Sequence, residues 1–285
     1  MPEFEISYQT QNTYSETMKR ALLEFLVLPA NCEKQERIEY NLEIRPFIEN
    51  YRSMNGFGFE TIQFRLKQQH QCFSFKLTSR VYKEEFNPFY IQPLSYEDEW
   101  ILINSNEFAI ENYPFFQETQ LTHLPVDFDF PTIHRQESVF EFITRLNQYV
   151  HSKFRYETKD DNPQKTILQT LNDGWGVCQD FAHFMISVLR KNKIPARYVS
   201  GYLNQGAKFV GSGAVHAWVQ AMIPGTGWVG FDPTNNLMED YHYIKIAHGV
   251  DINDCQNVKG VITGPGTNDT SYSVLVQEQN QKENQ

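Results

Sequence analysis

The sequence predicts an α+β protein, with antiparallel β-structure first and then helices followed by strands. Three observations lead there. Apolar residues alternate with a period of two through much of the first eighty residues. From about residue 136 the period becomes helical. Beyond Pro195 strand-like runs return, separated by glycine-containing turns.

Taken in order, Phe4, Ile6 and Tyr8 alternate, and Ile38, Tyr40, Leu42 and Ile44 alternate up to Pro46. Ile62, Phe64 and Leu66 follow after the turn sequence MNGFG at 54–58, then Phe73, Phe75 and Leu77. Several such strands joined by turns make a sandwich or barrel, so 1–85 is expected as a β-rich domain. Between 86 and 134, Pro88, Pro93, Pro114, Pro125 and Pro131 interrupt every period, and a connecting segment is expected. Its acidic cluster, Glu97, Asp98 and Glu99, matches no calcium-loop spacing and is expected as a solvated turn.

A second domain is expected over 135–275. Val139, Phe140, Ile143, Leu146 and Val150 mark a helix, and Ile167, Leu168 and Leu171 a shorter one that stops at Gly174. A third helix is expected from about Val177 to about Lys191, with Phe181, Phe184, Met185, Val188 and Leu189 as its apolar stripe. Lys191 and Lys193 suit the negative end of its dipole, and Pro195 prevents continuation. Strands are expected at ARYVSGYL (196–203), AVHAWVQAMI (214–223) and GWVGFDPT (227–234), the last two joined by a hairpin tip at Pro224-Gly225-Thr226-Gly227. SYSVLVQ at 271–277 reads as a closing strand, and 276–285 as a polar tail.

The 285 residues are enough to bury a substantial core. The net charge of -10 argues against nucleic acid and anionic membrane surfaces as partners, since both want a basic face. The longest apolar run near the start, Ala21 to Ala30, is short for a membrane span and contains Glu24. MPEFEISYQT shows no secretory signal pattern. Cys32, Cys72, Cys178 and Cys255 are scattered with no Cys-x-x-Cys pair, so neither a zinc knuckle nor a dithiol redox pair is expected. Reduced thiols and a cytoplasmic location are the expectation.

Cys178 stands apart from the other three. It lies just behind Gly174-Trp175-Gly176, where the third helix begins. Unpaired N–H groups at a helix start stabilise an anion and can stabilise the oxyanion formed when a thiolate attacks a carbonyl. That is where an acyl-transfer nucleophile would be placed, with its own N–H as one oxyanion donor. The nucleophile needs a base, and the base an orienting group. His183 is five residues along the same helix, roughly 140° round from Cys178, and reads as a packed or solvated residue. His216 begins a strand after flexible glycines, and Asp232 ends the next strand. A hairpin register in which paired numbers sum to 448 puts His216 and Asp232 opposite each other. A sum of 450 makes them diagonal neighbours on one face, and an odd sum puts them out of step.

GVCQDFAHF at 176–184, ARYVSGY at 196–202, VHAWV at 215–219 and GWVGFDPTN at 227–235 closely resemble the bacterial transglutaminase-like superfamily. AHGVDINDCQNVKGVITG at 247–264 resembles the segment that closes such domains. LEFLVLP at 23–29 and NGFGFE at 55–60 resemble the β-sandwich that often precedes the core. The departure is Asp254-Cys255-Gln256, which stands where a proline would be expected; it touches packing and leaves the triad intact. The resemblance implies a papain-like core in which Cys178 is the nucleophile, His216 the general base and acid, and Asp232 the residue that orients the imidazole. It implies a thioester on Cys178 and a protein or peptide substrate. Water as acceptor makes a peptidase or amidase, which is the preferred expectation; an amine makes a transglutaminase. Animal transglutaminases of the superfamily use calcium, and its peptide N-glycanases carry paired zinc-binding cysteines that this chain lacks; no cofactor or metal is expected here.

Other readings remain beside this one. The chain could be a catalytically silent peptide-binding module, or Cys178, His216 and Asp232 could ligate zinc. Trp175 flanks the nucleophile and is expected to line the substrate cleft, whereas Trp218 is expected in the core. Asp180 is explained by the helix dipole, Asn235 and Asn236 as turn residues, Tyr202 as a core residue and Cys255 as structural.

Overall fold

The computed structural model describes residues 2–85, 94–158, 164–204, 209–211 and 213–279. The α+β expectation holds. The N-terminal part supplies six strands: β1 (Glu3–Met18), β2 (Arg20–Phe25), β3 (Gln35–Arg45), β4 (Asn50–Met54), β5 (Glu60–Leu66) and β6 (His70–Lys83). They form two facing antiparallel sheets. The period-two residues Phe4, Ile6, Phe64, Phe73 and Phe75 all point inward and are fully buried. Phe25 and Phe75 stack at 4.4 Å and Phe25 meets Phe64 edge-on at 5.5 Å. Each such ring contributes about 1.5–3 kcal/mol by leaving water.

The chain returns to this sandwich at its end. β14 (Val258–Thr263) pairs with β2, and β15 (Asn268–Gln279) pairs with β1 from Glu3↔Gln279 to Tyr14↔Asn268. The expected boundaries at 275 and 276 are therefore corrected. The last two strands belong to the sandwich rather than to the second domain, and 276–279 are strand rather than tail. The physical reason is the edge: β1 is long, and β15 satisfies its open row of N–H and C=O groups. Residues 280–285 lie outside the described residues.

The segment expected as a connection is corrected in part as well. It contains α1 (Tyr96–Ile103), α2 (Asn106–Glu111) and a 3-10 turn at Tyr113–Phe116. The acidic cluster is the first turn of α1, capped by the Ser95 hydroxyl, which accepts from the Asp98 N–H. Glu99 is no solvated turn residue. It is fully buried and accepts from the Val139 N–H at 2.9 Å, at the start of the helix that begins with Val139. Burial raises its carboxyl above the usual range against that hydrogen bond. Pro88 and Pro93 lie outside the described residues.

In the second part, α3 (Val139–Lys153) starts with a capping box between Ser138 and Glu141. α4 (Ile167–Asp173) ends at Gly174, whose φ of 67° is the left-handed cap anticipated for a glycine there. α5 (Cys178–Lys191) lies against a five-stranded antiparallel sheet. Its strands run in the order β12 (Leu237–Met238), β11 (Gly227–Asp232), β10 (His216–Ile223), β9 (Ala196–Leu203) and β13 (Tyr243–Gly249). All five residues of the expected α5 stripe are buried.

Arg190, near the end of α5, is a buried staple. Its guanidinium donates to the carbonyls of Phe115 (3.0 Å), Gln117 (2.6 Å), Ala196 (2.9 Å) and Val250 (2.7 Å) and to the Thr122 hydroxyl (3.1 Å). The sandwich is tied to the sheet by the Gln35 amide, which donates to the Ala30 and Lys245 carbonyls, each at 2.8 Å. Among the described residues no helix is long and apolar enough to cross a membrane.

Candidate active site

Two short parallel strands, β7 (Arg155–Tyr156) and β8 (Trp175–Gly176), steer the chain from Gly174 into α5. At Gly176 any side chain would run into the Asp180 carboxylate, which accepts from the Val177 N–H at 2.9 Å. The turn thus needs its glycine, and Cys178 is delivered half-buried as the first residue of α5.

His216 opens β10 and is buried. The hairpin register pairs Val219 with Phe231 and Ile223 with Gly227, so paired numbers sum to 450. His216 and Asp232 are diagonal neighbours on one face, and Nε2 of the ring meets Asp232 Oδ2 at 2.8 Å. Nδ1 is buried and has no partner at full hydrogen-bonding distance. Cys178 stands close enough to the ring to act on its charge, and Nδ1 is the nitrogen left for the thiol. Burial opposes protonation of His216, but the Asp232 carboxylate and then Cys178 outweigh it and push the ring up to about 10.

Asp232 is itself fixed by several donors. Oδ2 accepts from His216, from Asn235 Nδ2 at 2.8 Å and from the Tyr243 hydroxyl at 3.0 Å. Oδ1 accepts from the N–H groups of Thr234 at 2.9 Å and Asn235 at 3.3 Å. Burial would raise this carboxyl; His216 and these hydrogen bonds hold it below its ordinary range. Asn235 also clasps Val210 in both directions at 3.0 Å. That places Gly211 against the His216 ring, where no side chain would fit.

Cys178, His216 and Asp232 are thus brought together. Trp175 is half-buried three residues before the cysteine. The Lys165 ammonium lies 2.9 Å from its ring centre and donates to its carbonyl at 3.2 Å. Trp218 is in the core, as expected, with its indole N–H on Glu239 at 3.0 Å. Tyr202 is a core residue whose hydroxyl donates to the Val27 carbonyl at 2.6 Å.

His183 is packed away from the site, accepts from the Ile252 N–H at 3.3 Å, and is pushed by burial down to about 4. Cys255 is buried, and burial pushes its thiol far up. Sequence reasoning missed Tyr243 and took Asn235 for a plain turn residue. The only available signal for Asn235 was its place three residues after the aspartate. Asp180 does more than answer the dipole, because burial raises its carboxyl to about 6 against the Val177 hydrogen bond. Among the described residues, no group of three or more His, Cys, Asp or Glu could hold a metal ion.

The transglutaminase-like superfamily core matches residues 127–233, a span that holds all three side chains of this arrangement. The bacterial transglutaminase-like N-terminal region matches residues 4–82. The chain carries a transglutaminase-like core behind a bacterial transglutaminase-like N-terminal region. Its transglutaminase-like core and sandwich together resemble a candidate cysteine protease from Cytophaga hutchinsonii, with a TM-score of 0.69 at 21% identity over 97% of this chain and 90% of that one. That likeness shows a shared fold. An uncharacterized protein of Mycobacterium leprae is 27% identical over 279 residues, 95% of this chain and 97% of the relative. A protein-glutamine gamma-glutamyltransferase of Pseudomonas aeruginosa is 34% identical over 100 residues, 31% of this chain and 14% of that protein.

Proposed function

We propose that this protein is a cysteine-dependent acyl-transfer enzyme that hydrolyses amide bonds of proteins or peptides. One observation carries the reading: His216 is bound to Asp232 through Nε2, and its free Nδ1 is left for Cys178 at the start of α5. The Cys178 thiolate attacks the amide carbonyl, and the electron pair moves onto oxygen near the helix-start N–H groups. Collapse expels the amine, which takes its proton from His216, and leaves a thioester on Cys178. Water then attacks the thioester while His216 accepts its proton, and the acid departs as the thiolate reforms. Asp232 fixes the ring through both steps. The four unpaired cysteines support a reducing, cytoplasmic setting.

A second reading shares every catalytic residue and replaces water with an amine. The similarity over 100 residues to the Pseudomonas gamma-glutamyltransferase favours it. One experiment separates the two. The wild type and Cys178→Ala are incubated with a glutamine-rich unfolded protein and a primary amine, and products are weighed by mass spectrometry. New peptide termini or conversion of glutamine to glutamate, only with wild type, support hydrolysis. Amine-sized adducts support transfer. Identical product spectra from both proteins would overturn the catalytic reading in favour of a silent binding module.

A further inference from the structure

A second concave site lies on the same sheet face as His216, at the opposite end of β10. It is a cavity of about 290 Å³ where the sandwich meets the sheet. Four cations line it: the exposed Lys34, just before β3, and three from different strands, Lys83 from β6, Arg197 from β9 and Lys245 from β13. Lys83 and Lys245 are buried. The Arg197 guanidinium lies over the Trp228 ring at 4.1 Å.

Four carboxylates line it too, so the lining as a whole is balanced, and Glu239 is the most buried of them. Glu239 is bonded to Lys83 at 3.2 Å, to the Trp218 N–H at 3.0 Å and to the Gln220 amide at 2.7 Å. Arg197 Nε and Lys245 Nζ share a neutral acceptor instead, the Gln220 carbonyl oxygen, each at 2.9 Å. Among the described residues neither forms a salt bridge. Glu239 acts on both only through space and is already bonded to Lys83, so these cations share one carboxylate without direct contact, which is unfavourable for buried charge. Burial and the adjacent Arg197 accordingly push the Lys245 ammonium down to about 7.

We propose that this pocket binds a small carboxylate, either a free acid or the end of a peptide, between Arg197 and Lys245. The guanidinium offers paired N–H donors that match a carboxylate, and the ammonium offers a third. Trp228 backs the guanidinium and fixes its plane. Glu33, Glu84 and Asp240 also line the cavity, towards its more exposed side, and repel a dianion, which sets the preference for a single negative charge. The site is separate from Cys178, and the proposal stands whether or not the acyl-transfer reading does.

The test is thermal unfolding of the full chain slightly below neutral pH with propionate, N-acetylglycine, phosphate or chloride at matched ionic strength. The expected result is a saturable rise in midpoint of roughly 2–4 °C with propionate or N-acetylglycine relative to chloride. The larger shift of the two distinguishes a free acid from a peptide end. Lys245→Met and Arg197→Gln should each remove the shift, and the first exchanges a buried charge for an apolar chain of similar length, a change that folded proteins tolerate. The proposal is overturned by equal midpoints in propionate, N-acetylglycine and chloride, by a shift that persists in both variants, or by a larger shift with phosphate.

Discussion

Asp232 holds His216 as a diagonal neighbour across the β10–β11 hairpin, with the side chains 2.8 Å apart and both fully buried. Asp232→Asn should keep the fold but present an amide where the ring needs an anionic acceptor. Turnover should fall roughly a thousand- to ten-thousand-fold with little change in KM. A loss of only a few fold in steady-state kinetics would remove Asp232 from the catalytic arrangement.

The same pair sets a pH dependence. His216 is raised above its ordinary value, so its charged form persists through neutrality. The stability this provides is fully present below the ordinary histidine value and is lost as pH rises through about 10. NMR titration of the ring should show an alkaline midpoint in the wild type and a lower one in Asp232→Asn and in Cys178→Ala. A wild-type midpoint at the ordinary histidine value would contradict the geometry.

Asn235 joins Asp232 to the 209–211 segment that covers His216. Asn235→Ala removes a hydrogen bond to a charged group, and turnover should drop about tenfold to a hundredfold. The His216 midpoint should move along with it. Unchanged turnover and midpoint together would make the residue a turn former and nothing more.

Arg190→Met should destabilise by roughly 3 kcal/mol, because it leaves carbonyls from three parts of the chain, one buried and two partly buried, without a donor. Chemical denaturation measures this directly. A change under about 1 kcal/mol would show that water or rearranged backbone replaces the guanidinium.

What could be read from the sequence was what short periods and local punctuation carry. The α5 stripe, the Gly174 stop and the Gly225 hairpin tip are local, and each stands where it was expected. The hairpin sum of 450 was one of three registers weighed, because period-two patterning narrows a register without choosing it. Tyr243 could not be read. It reaches Asp232 from β13, the far edge strand of the sheet, and no motif links the two. Glu99 was misread because a run of three acids gives no sign that one of them turns under a neighbouring helix. The run SYSVLVQ was legible as a strand, but its partner β1 lies more than two hundred residues earlier. α1 and α2 were hidden by the prolines around them.

The proposed nucleophile is Cys178, prepared by His216 at a helix start. Its most direct test needs no substrate: alkylation of the native protein by iodoacetamide at neutral pH, followed cysteine by cysteine through peptide mass spectrometry. Cys32 and Cys72 are exposed, whereas Cys178 is only half-exposed and Cys255 buried. Accessibility alone therefore ranks Cys32 and Cys72 first. Cys178 should react fastest of the four, and His216→Ala should slow it to the pace of an ordinary thiol. Faster labelling of Cys32 and Cys72, with Cys178 indifferent to His216, would contradict that role.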